Sequence, residues 1–265
     1  MINKSLQTMI AVTAVATVLS MPLISSDGAA ANAAEVKVLC ANGMREVLSE
    51  LQPQLERTTG QRVTISFGQA GDLRKRIQDG EIADVIVMPK DVLDQLLTQG
   101  KIGPDTAVDL AQDSIGIGVR TDAPKPDISS VDGFKRTVLA AKSIAIVDPA
   151  SGGMSGVHIA EVFQRLGIAE QVKPKLKLNR LGSNSALVVR GDAEMAIQTS
   201  SAILAVPGIE FIPLPAEIQR TIVFSAALAS NAKEPDLAKA LLQFLQGPTS
   251  MTAIRAKGMA PVPTK

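Results

Sequence analysis

The sequence predicts an α/β protein in which helices flank largely parallel sheets and the chain is shared between two lobes. Three observations carry that prediction. Short β-branched runs alternate with longer segments of helical period, as strands alternate with the helices that cover a sheet. Several of those strands pass into their helices through loops of small residues, the place where open α/β sheets hold ligands. A Pro- and Asp-containing stretch, "SIGIGVRTDAPKPDISSVDGFK", then breaks the alternation and suits a crossing between lobes.

The first strand is "EVKVLCA", Glu35 to Ala41, and "NGMREVLSELQPQLERTTG" follows it directly. Its Met44, Val47, Leu48, Leu51 and Leu55 share one helical face, and Gly60 supplies a stop. The second strand, "RVTISFG", leads into "QAGDLRKRIQDG", expected to be helical from Gly71 to Gly80. A third strand, "ADVIVMP", gives way to the helix "KDVLDQLLTQG". After a strand at Ile115 to Val119 and the crossing, a second set follows: strand "SIAIVDP", the loop and helix from Ser151 to Leu166, strand "KLKLNRLG", helix "SNSALVVRGDA", strand "EMAIQTS" and the run "IEFIPLP". The apolar strand "TIVFSAALASN" and the helix "DLAKALLQFLQG" complete the reading. The expected division is one lobe over residues 34–116 plus 223–265 and another over residues 117–222.

Before the first strand, Lys4 precedes an apolar run from Met9 to Leu23 and a small-residue stretch ending at Ala34. That is the pattern of a secretory signal peptide over residues 1–33, with an Ala31-x-Ala33 cleavage site. The run is shorter than the ~20 residues a spanning helix needs and is interrupted by Thr13, Thr17 and Ser20. An exported mature chain is therefore expected.

A formal charge of +1 with no Trp or Tyr gives neither a basic stripe nor stacking aromatics, so nucleic acid is not an expected partner. The single cysteine, Cys40, has no internal disulfide partner and reads as a small buried hydrophobe in "VKVLCA". One His and one Cys exclude a zinc site built from those ligands, and no G-x-S-x-G elbow supports a serine triad. No metal and no cofactor is expected.

Three strand ends carry the candidate chemistry: Ala41-Asn42-Gly43-Met44, Gly68-Gln69-Ala70-Gly71, and Ala150-Ser151-Gly152-Gly153-Met154-Ser155-Gly156. Each places free backbone N–H groups and a positive helix end beside a gap left by small side chains, which favours an anion. None matches a phosphate-binding or dinucleotide-binding glycine pattern, and glycine before a helix often serves the turn alone. Their convergence from both lobes is what predicts a site. The expected backbone donors are Gly43, Met44, Gly71, Ser155 and Gly156, the side-chain donors are Asn42, Gln69, Ser151, Gln198 and Thr199, and Ala70, Gly152 and Met154 complete the walls. Arg45, one turn into its helix, has the fork to pair bidentately with a carboxylate. Such an amide-rich set suits a small organic polycarboxylate better than a bare metal oxyanion.

The stretches "CANGMREVLSELQPQLERTTGQRVTISFGQAGDLRKRIQDGEIADVIVMP", "DPASGGMSGVHIAEVFQRLGI", "GDAEMAIQTS" and "FSAALASNAKEPDLAKALLQFLQGP" resemble, in order, the periplasmic molybdate-binding proteins that deliver oxyanions to ABC importers. The resemblance runs from Glu35 to about Pro261. It implies a type II periplasmic binding-protein fold, with mixed sheets flanked by helices and two lobes that close over a ligand cleft. It also implies a periplasmic location and an ABC importer as membrane partner; a monomer is expected. Three positions depart from the family pattern: Asn42 and Ala70 stand where ligating serines are usual, and Ala196-Ile197-Gln198-Thr199 stands where a tyrosine-containing run is common. Some proteins of this family are aconitate isomerases, which move a proton and a double bond within a tricarboxylate. That resemblance makes His158 the candidate proton carrier, with Asp148 and Glu194 as further candidates. Three readings stay open: capture of a polycarboxylate, isomerisation of aconitate, and delivery of molybdate or tungstate.

Overall fold

The structure, a computed structural model, describes residues 35–180 and 183–262; the expected signal peptide lies outside the described residues. The chain begins with β1 (Glu35–Ala41), a 3-10 turn at Asn42–Met44 and α1 (Arg45–Thr59). Met44, Val47, Leu48, Leu51 and Leu55 are all buried, as their spacing requires, and Gly60 ends the helix in the left-handed conformation at φ 66°. Next come β2 (Arg62–Gly68), α2 (Ala70–Gln78), β3 (Val85–Pro89), α3 (Lys90–Thr98) and β4 (Val108–Arg120). The second set is α4 (Val131–Ala140), β5 (Ile144–Val147), α5 (Met154–Arg165), α6 (Ala169–Val172), β6 (Leu176–Asn179), α7 (Asn184–Val189), β7 (Met195–Thr199), α8 (Ser200–Leu204) and β8 (Ile209–Pro213). The chain returns through β9 (Thr221–Leu228), α9 (Pro235–Leu245), α10 (Pro248–Ala256) and β10 (Ala260–Pro261).

Two sheets result, and β4 belongs to both. In the first, β2, β1 and β3 run parallel, β9 pairs antiparallel with β3, and β4 pairs with β9 and β10. In the second, β6, β5 and β7 run parallel, and β4 pairs antiparallel with β7 and β8. The change falls between Ser114, still bonded to β9, and Ile115, bonded to β7. Every residue of β3 is buried, as expected for a parallel strand covered on both faces. Phe134 of α4 stacks on Phe163 of α5 at 6.3 Å between ring centroids, which builds the core of the second half.

The structure departs from the expected elements in several places. The strand read at Ile115 to Val119 is the second part of a 13-residue strand. Its first part is hard to see because Asp109, Gln112 and Asp113 interrupt the apolar pattern. The stretch read as a crossing contains α4, whose N-terminus is capped by Ser130 Oγ accepting from the Gly133 N–H at 3.1 Å. The helix at α2 starts one residue before Gly71, and α8 and α10 form where no helix was read. Among the described residues no helix is long and apolar enough to cross a membrane.

One buried carboxylate ties the first sheet together. Asp84, just before β3, accepts from the backbone N–H groups of Lys37 in β1 at 2.8 Å, Lys233 at 2.7 Å and Glu234 at 2.9 Å. It therefore joins two neighbouring strands to the entrance of α9. Replacing Asp84 by Ala leaves those donors without their acceptor at a cost of about 1–3 kcal/mol for each one that water does not reach. Urea unfolding is expected to show a loss of about 3 kcal/mol or more with an unchanged slope; a loss below about 1 kcal/mol would mean that water replaces the clamp.

Candidate functional site

The carboxyl ends of β1, β2, β3, β5 and β7 meet at one cavity of about 440 Å³, in the range of small-molecule sites. From the first half its wall takes Asn42, Gly43, Arg45, Glu46, Gln69 and Ala70, and from the second Gly153, Met154, Ser155, Ser183, Gln198, Thr199 and Ser201. Phe224 of β9 closes one side. Gly43 rests on that ring so closely that a β-carbon there would fall 2.2 Å from its Cζ.

Three of the helices that begin at this wall have no side-chain cap. The 3-10 turn leading into α1, the nine-residue α2 and the twelve-residue α5 start after Ala41, Gln69 and Gly153, and none of these donates or accepts a capping side-chain bond. Of the other helices, α4 is capped by Ser130 and α7 by Ser183, itself on the wall, whereas α3, α6, α8, α9 and α10 also start without a side-chain cap. First-turn N–H groups without a capping side chain, together with the helix dipoles, create positive potential without a formal charge.

Arg45 adds the charge and is held in place. Its Nη2 donates to Asn42 Oδ1 at 2.6 Å, and its guanidinium lies 4.3 Å from the centre of the Phe67 ring. With its oxygen so engaged, Asn42 keeps its Nδ2 donors for the cavity. Gln198 Nε2 donates to Ser185 Oγ at 2.8 Å, which fixes that amide on the opposite wall. Gln69 reaches across, donating from Nε2 to the Arg180 carbonyl at 3.2 Å. Beside it Arg180 pairs with Asp72 at 3.0 Å and with Asp148 at 3.6 Å. On the same flank a β-carbon on Gly71 would lie 2.6 Å from the Ser151 carbonyl oxygen, so the two halves touch backbone to backbone.

The structure brings together Asn42, Gly43, Arg45, Gln69, Ala70, Met154, Ser155, Gln198 and Thr199. It places the other expected residues off the wall. Met44 is fully buried in the core. Ser151 is buried and spends its hydroxyl on the Asp148 carbonyl at 2.6 Å. Gly71 and Gly152 form the contact between halves, and Gly156 packs on the Val147 carbonyl. His158 is buried one turn further along α5 from Met154, with Nε2 2.8 Å from the Ile218 carbonyl oxygen. Burial, aided by the Arg220 charge, holds its imidazole below the ordinary range, against the pull of the Ile218 bond. Asp148 accepts from the Ala150 N–H within its own turn and Glu194 accepts from the Lys142 N–H, tying the start of β7 to the end of α4, and neither lines the cavity. The sequence reading missed Glu46, Ser183 and Ser201. Glu46 directly follows Arg45 and was within reach of a helical-wheel argument, whereas Ser183 enters as the N-cap of α7 and Ser201 from the first turn of α8, a helix the sequence did not suggest. Cys40 is fully buried, and burial pushes its thiol well above the ordinary range. Among the described residues no cluster of His, Cys, Asp and Glu is suited to a metal ion.

Comparison with known proteins agrees with this architecture. The sequence matches the family described as bacterial extracellular solute-binding protein over residues 36–260. It is 35% identical over 235 residues to the aconitate isomerase of a Pseudomonas species, covering 86% of this chain and 88% of that protein. It is 27% identical over 233 residues to the molybdate-binding protein ModA of Azotobacter vinelandii, covering 86% and 91%. The solved structure of the Azotobacter vinelandii periplasmic molybdate-binding protein superposes with a TM-score of 0.69 at 21% identity, over 86% of this chain and all of that one.

The placement of His158 makes a prediction about acid stability. Its folded form resists protonation, so below the ordinary histidine value of about 6.5 the unfolded state takes up a proton that the folded state does not. Stability contributed by the neutral ring is present above about pH 6.5 and is lost as pH falls from there towards the lowered folded value. Urea unfolding at about pH 5 and about pH 8 is expected to show a smaller acid loss for His158→Asn than for the native chain. An unchanged acid loss would refute the assignment.

Proposed function

The chain belongs to the bacterial extracellular solute-binding proteins, and we propose that its solute is a small organic polycarboxylate held in the cleft between the two lobes. The observation that carries this reading is the set of uncapped helix starts facing one cavity beside the fixed Arg45 fork. Backbone donors suit any anion, but a guanidinium paired edge-on suits a planar carboxylate in particular. The amides of Asn42, Gln69 and Gln198 add donors from both halves around a cavity of about 440 Å³, roomier than one tetrahedral oxyanion needs. Ala70 has no hydroxyl to offer such an oxyanion, and the Glu46 carboxylate on the same wall repels a compact dianion more than an extended acid whose charges lie apart. Family membership supports an exported, periplasmic protein with an ABC importer as partner, and closure of the lobes would supply part of the selectivity.

A second reading, turnover of the bound acid, is favoured by the 35% identity to an aconitate isomerase. An allylic shift removes a proton from the methylene carbon of aconitate, moves the double bond by one position and returns a proton to the former vinyl carbon. Nothing is oxidised or reduced, so one positioned base suffices. Among the described residues lining the cavity, Glu46 is the one carboxylate, and His158 is absent from that wall. Glu46 is therefore the assigned base in this reading.

Tricarballylate, a saturated tricarboxylate, is expected to raise the melting temperature of the native chain, and molybdate to raise it less. Arg45→Ala should weaken tricarballylate binding by about tenfold to a hundredfold, the equivalent of a charge-assisted hydrogen bond. Stabilisation by molybdate alone would sink the polycarboxylate reading. If the native chain changes the ultraviolet spectrum of aconitate, Glu46→Gln should slow that change by about a hundredfold or more while keeping tricarballylate binding. Undiminished turnover would rule Glu46 out, and a native chain without turnover would leave a binding protein.

A further inference from the structure

Behind the part of the wall formed by Thr199 and Ser201 lies a carboxylate with no counter-ion among the described residues. Asp113, 1% exposed, sits in β4 just before that strand passes from the first sheet to the second. Its Oδ1 accepts from Ser200 Oγ at 2.5 Å and from the Ser201 N–H at 3.4 Å. Its Oδ2 accepts from Ser201 Oγ at 2.5 Å, and Thr199 Oγ1 stands 3.4 Å from that same Ser201 oxygen. The groups acting on Asp113 are hydroxyls and an amide alone. Three cations on neighbouring elements are engaged elsewhere: Arg120 at the end of β4 pairs with Asp122 at 3.0 Å, Arg220, ahead of β9, pairs with Asp91 at 2.8 Å, and Lys257, after α10, pairs with Glu50 at 2.7 Å.

A serine hydroxyl has one proton to give. While Asp113 is ionised, Ser201 donates that proton to Oδ2, and only lone pairs of its oxygen are left for a ligand. An anion at this wall then meets an acceptor. When Oδ2 carries a proton, the bond reverses: the carboxyl donates to Ser201 Oγ, and the serine proton is released to turn towards the ligand. Oδ1 meanwhile keeps its bonds from Ser200 and the Ser201 amide. We propose that Asp113 and Ser201 make anion capture in the cleft proton-linked, with one proton taken up at Asp113 for each ligand that Ser201 receives as a donor. This rests on the anion-binding reading above and adds to it a positioning residue outside the cavity. Burial pushes the Asp113 carboxyl up, against the pull of the Ser200, Ser201 and Thr199 bonds, which brings its protonated form closer to the working range. The Ser200 hydroxyl has the Gly258 carbonyl at 3.1 Å as a second acceptor, so its own proton need not change place when Asp113 is charged or neutral.

The test is calorimetric titration with tricarballylate at about pH 8, where the acid is fully ionised, in two buffers of different ionisation enthalpy. The native chain is expected to take up about one proton per ligand and to bind about tenfold more weakly for each unit rise in pH. Asp113→Asn puts an amide donor where the protonated Oδ2 would be, so it should take up none and bind more tightly than the native chain at that pH. Ser201→Ala, which removes only the hydroxyl that relays the proton, should also abolish uptake and keeps the test decisive if the first variant does not fold. Ser200→Ala should still take up a proton. Binding by the native chain without uptake, or uptake that survives in Ser201→Ala, would overturn the proton linkage while leaving the ligand reading intact. Failure of tricarballylate to bind the native chain at any pH would instead overturn the ligand reading, and the linkage with it.

Discussion

The arrangement depends on one strand being hydrogen-bonded in two sheets. β4 pairs with β9 up to Ser114 and with β7 and β8 from Ile115 onward, so neither sheet can shift without changing the course of the shared backbone. Because buried backbone groups must stay paired, the handover between sheets has to occur at one place on the strand. That place sets where the strand ends of both halves gather. Asn42 and Gln69 arrive from one sheet and Gln198 and Thr199 from the other, and all four line the same cavity. The cleft is a consequence of the crossing strand before any ligand chemistry is considered.

Close backbone approach then determines what the loop glycines do. A β-carbon would meet the Phe224 ring at Gly43, the Ser151 carbonyl at Gly71, and the Val147 carbonyl at Gly156. Each contact lets two elements pack at a distance that no side chain permits. Only Gly43 of these three also lines the cavity. Absence of a side chain allows close packing at all three and leaves one of them on the cavity wall as well, and the two situations have the same appearance in a sequence. Gly71, Gly152 and Gly156 therefore have a packing role at the joint between halves and at the seat of α5, whatever their backbone N–H groups do.

The sheets and their covering helices were legible because they follow from local periodicity. Met44 to Leu55 repeat on one helical face, and the β-branched run of β3 is buried throughout. The first part of β4 was not, because its polar residues have partners far away in sequence: Asp109 accepts from Ser225, and Asp113 from Ser200 and Ser201. His158 stood out as the sole histidine, four residues after a cavity residue and thus on nearly the same helical face. One further turn of α5, however, carries it beneath the returning chain at Ile218, and helical phase alone contains no information about that depth. Residues of the site that come from the immediate neighbourhood of a strand end could be found from spacing. Those that come through the fold, such as Ser201 and the carboxylate behind it, could not.

The charge of the cleft also bears on how it works. Arg45 and Glu46 are adjacent on its wall and nearly cancel at a distance, and the remaining donors are neutral amides, hydroxyls and backbone N–H groups. Such groups act over the length of a hydrogen bond, whereas an array of cations would attract anions across a Debye length of about 8–10 Å. A wall of short-range donors discriminates poorly until the ligand touches both sides at once, because Asn42 and Arg45 belong to one half and Gln198 and Ser201 to the other. Under the proposed function, selectivity would come from the geometry of simultaneous contact. A chain with a formal charge of only +1 needs such a mechanism, since its overall field cannot concentrate anions for it.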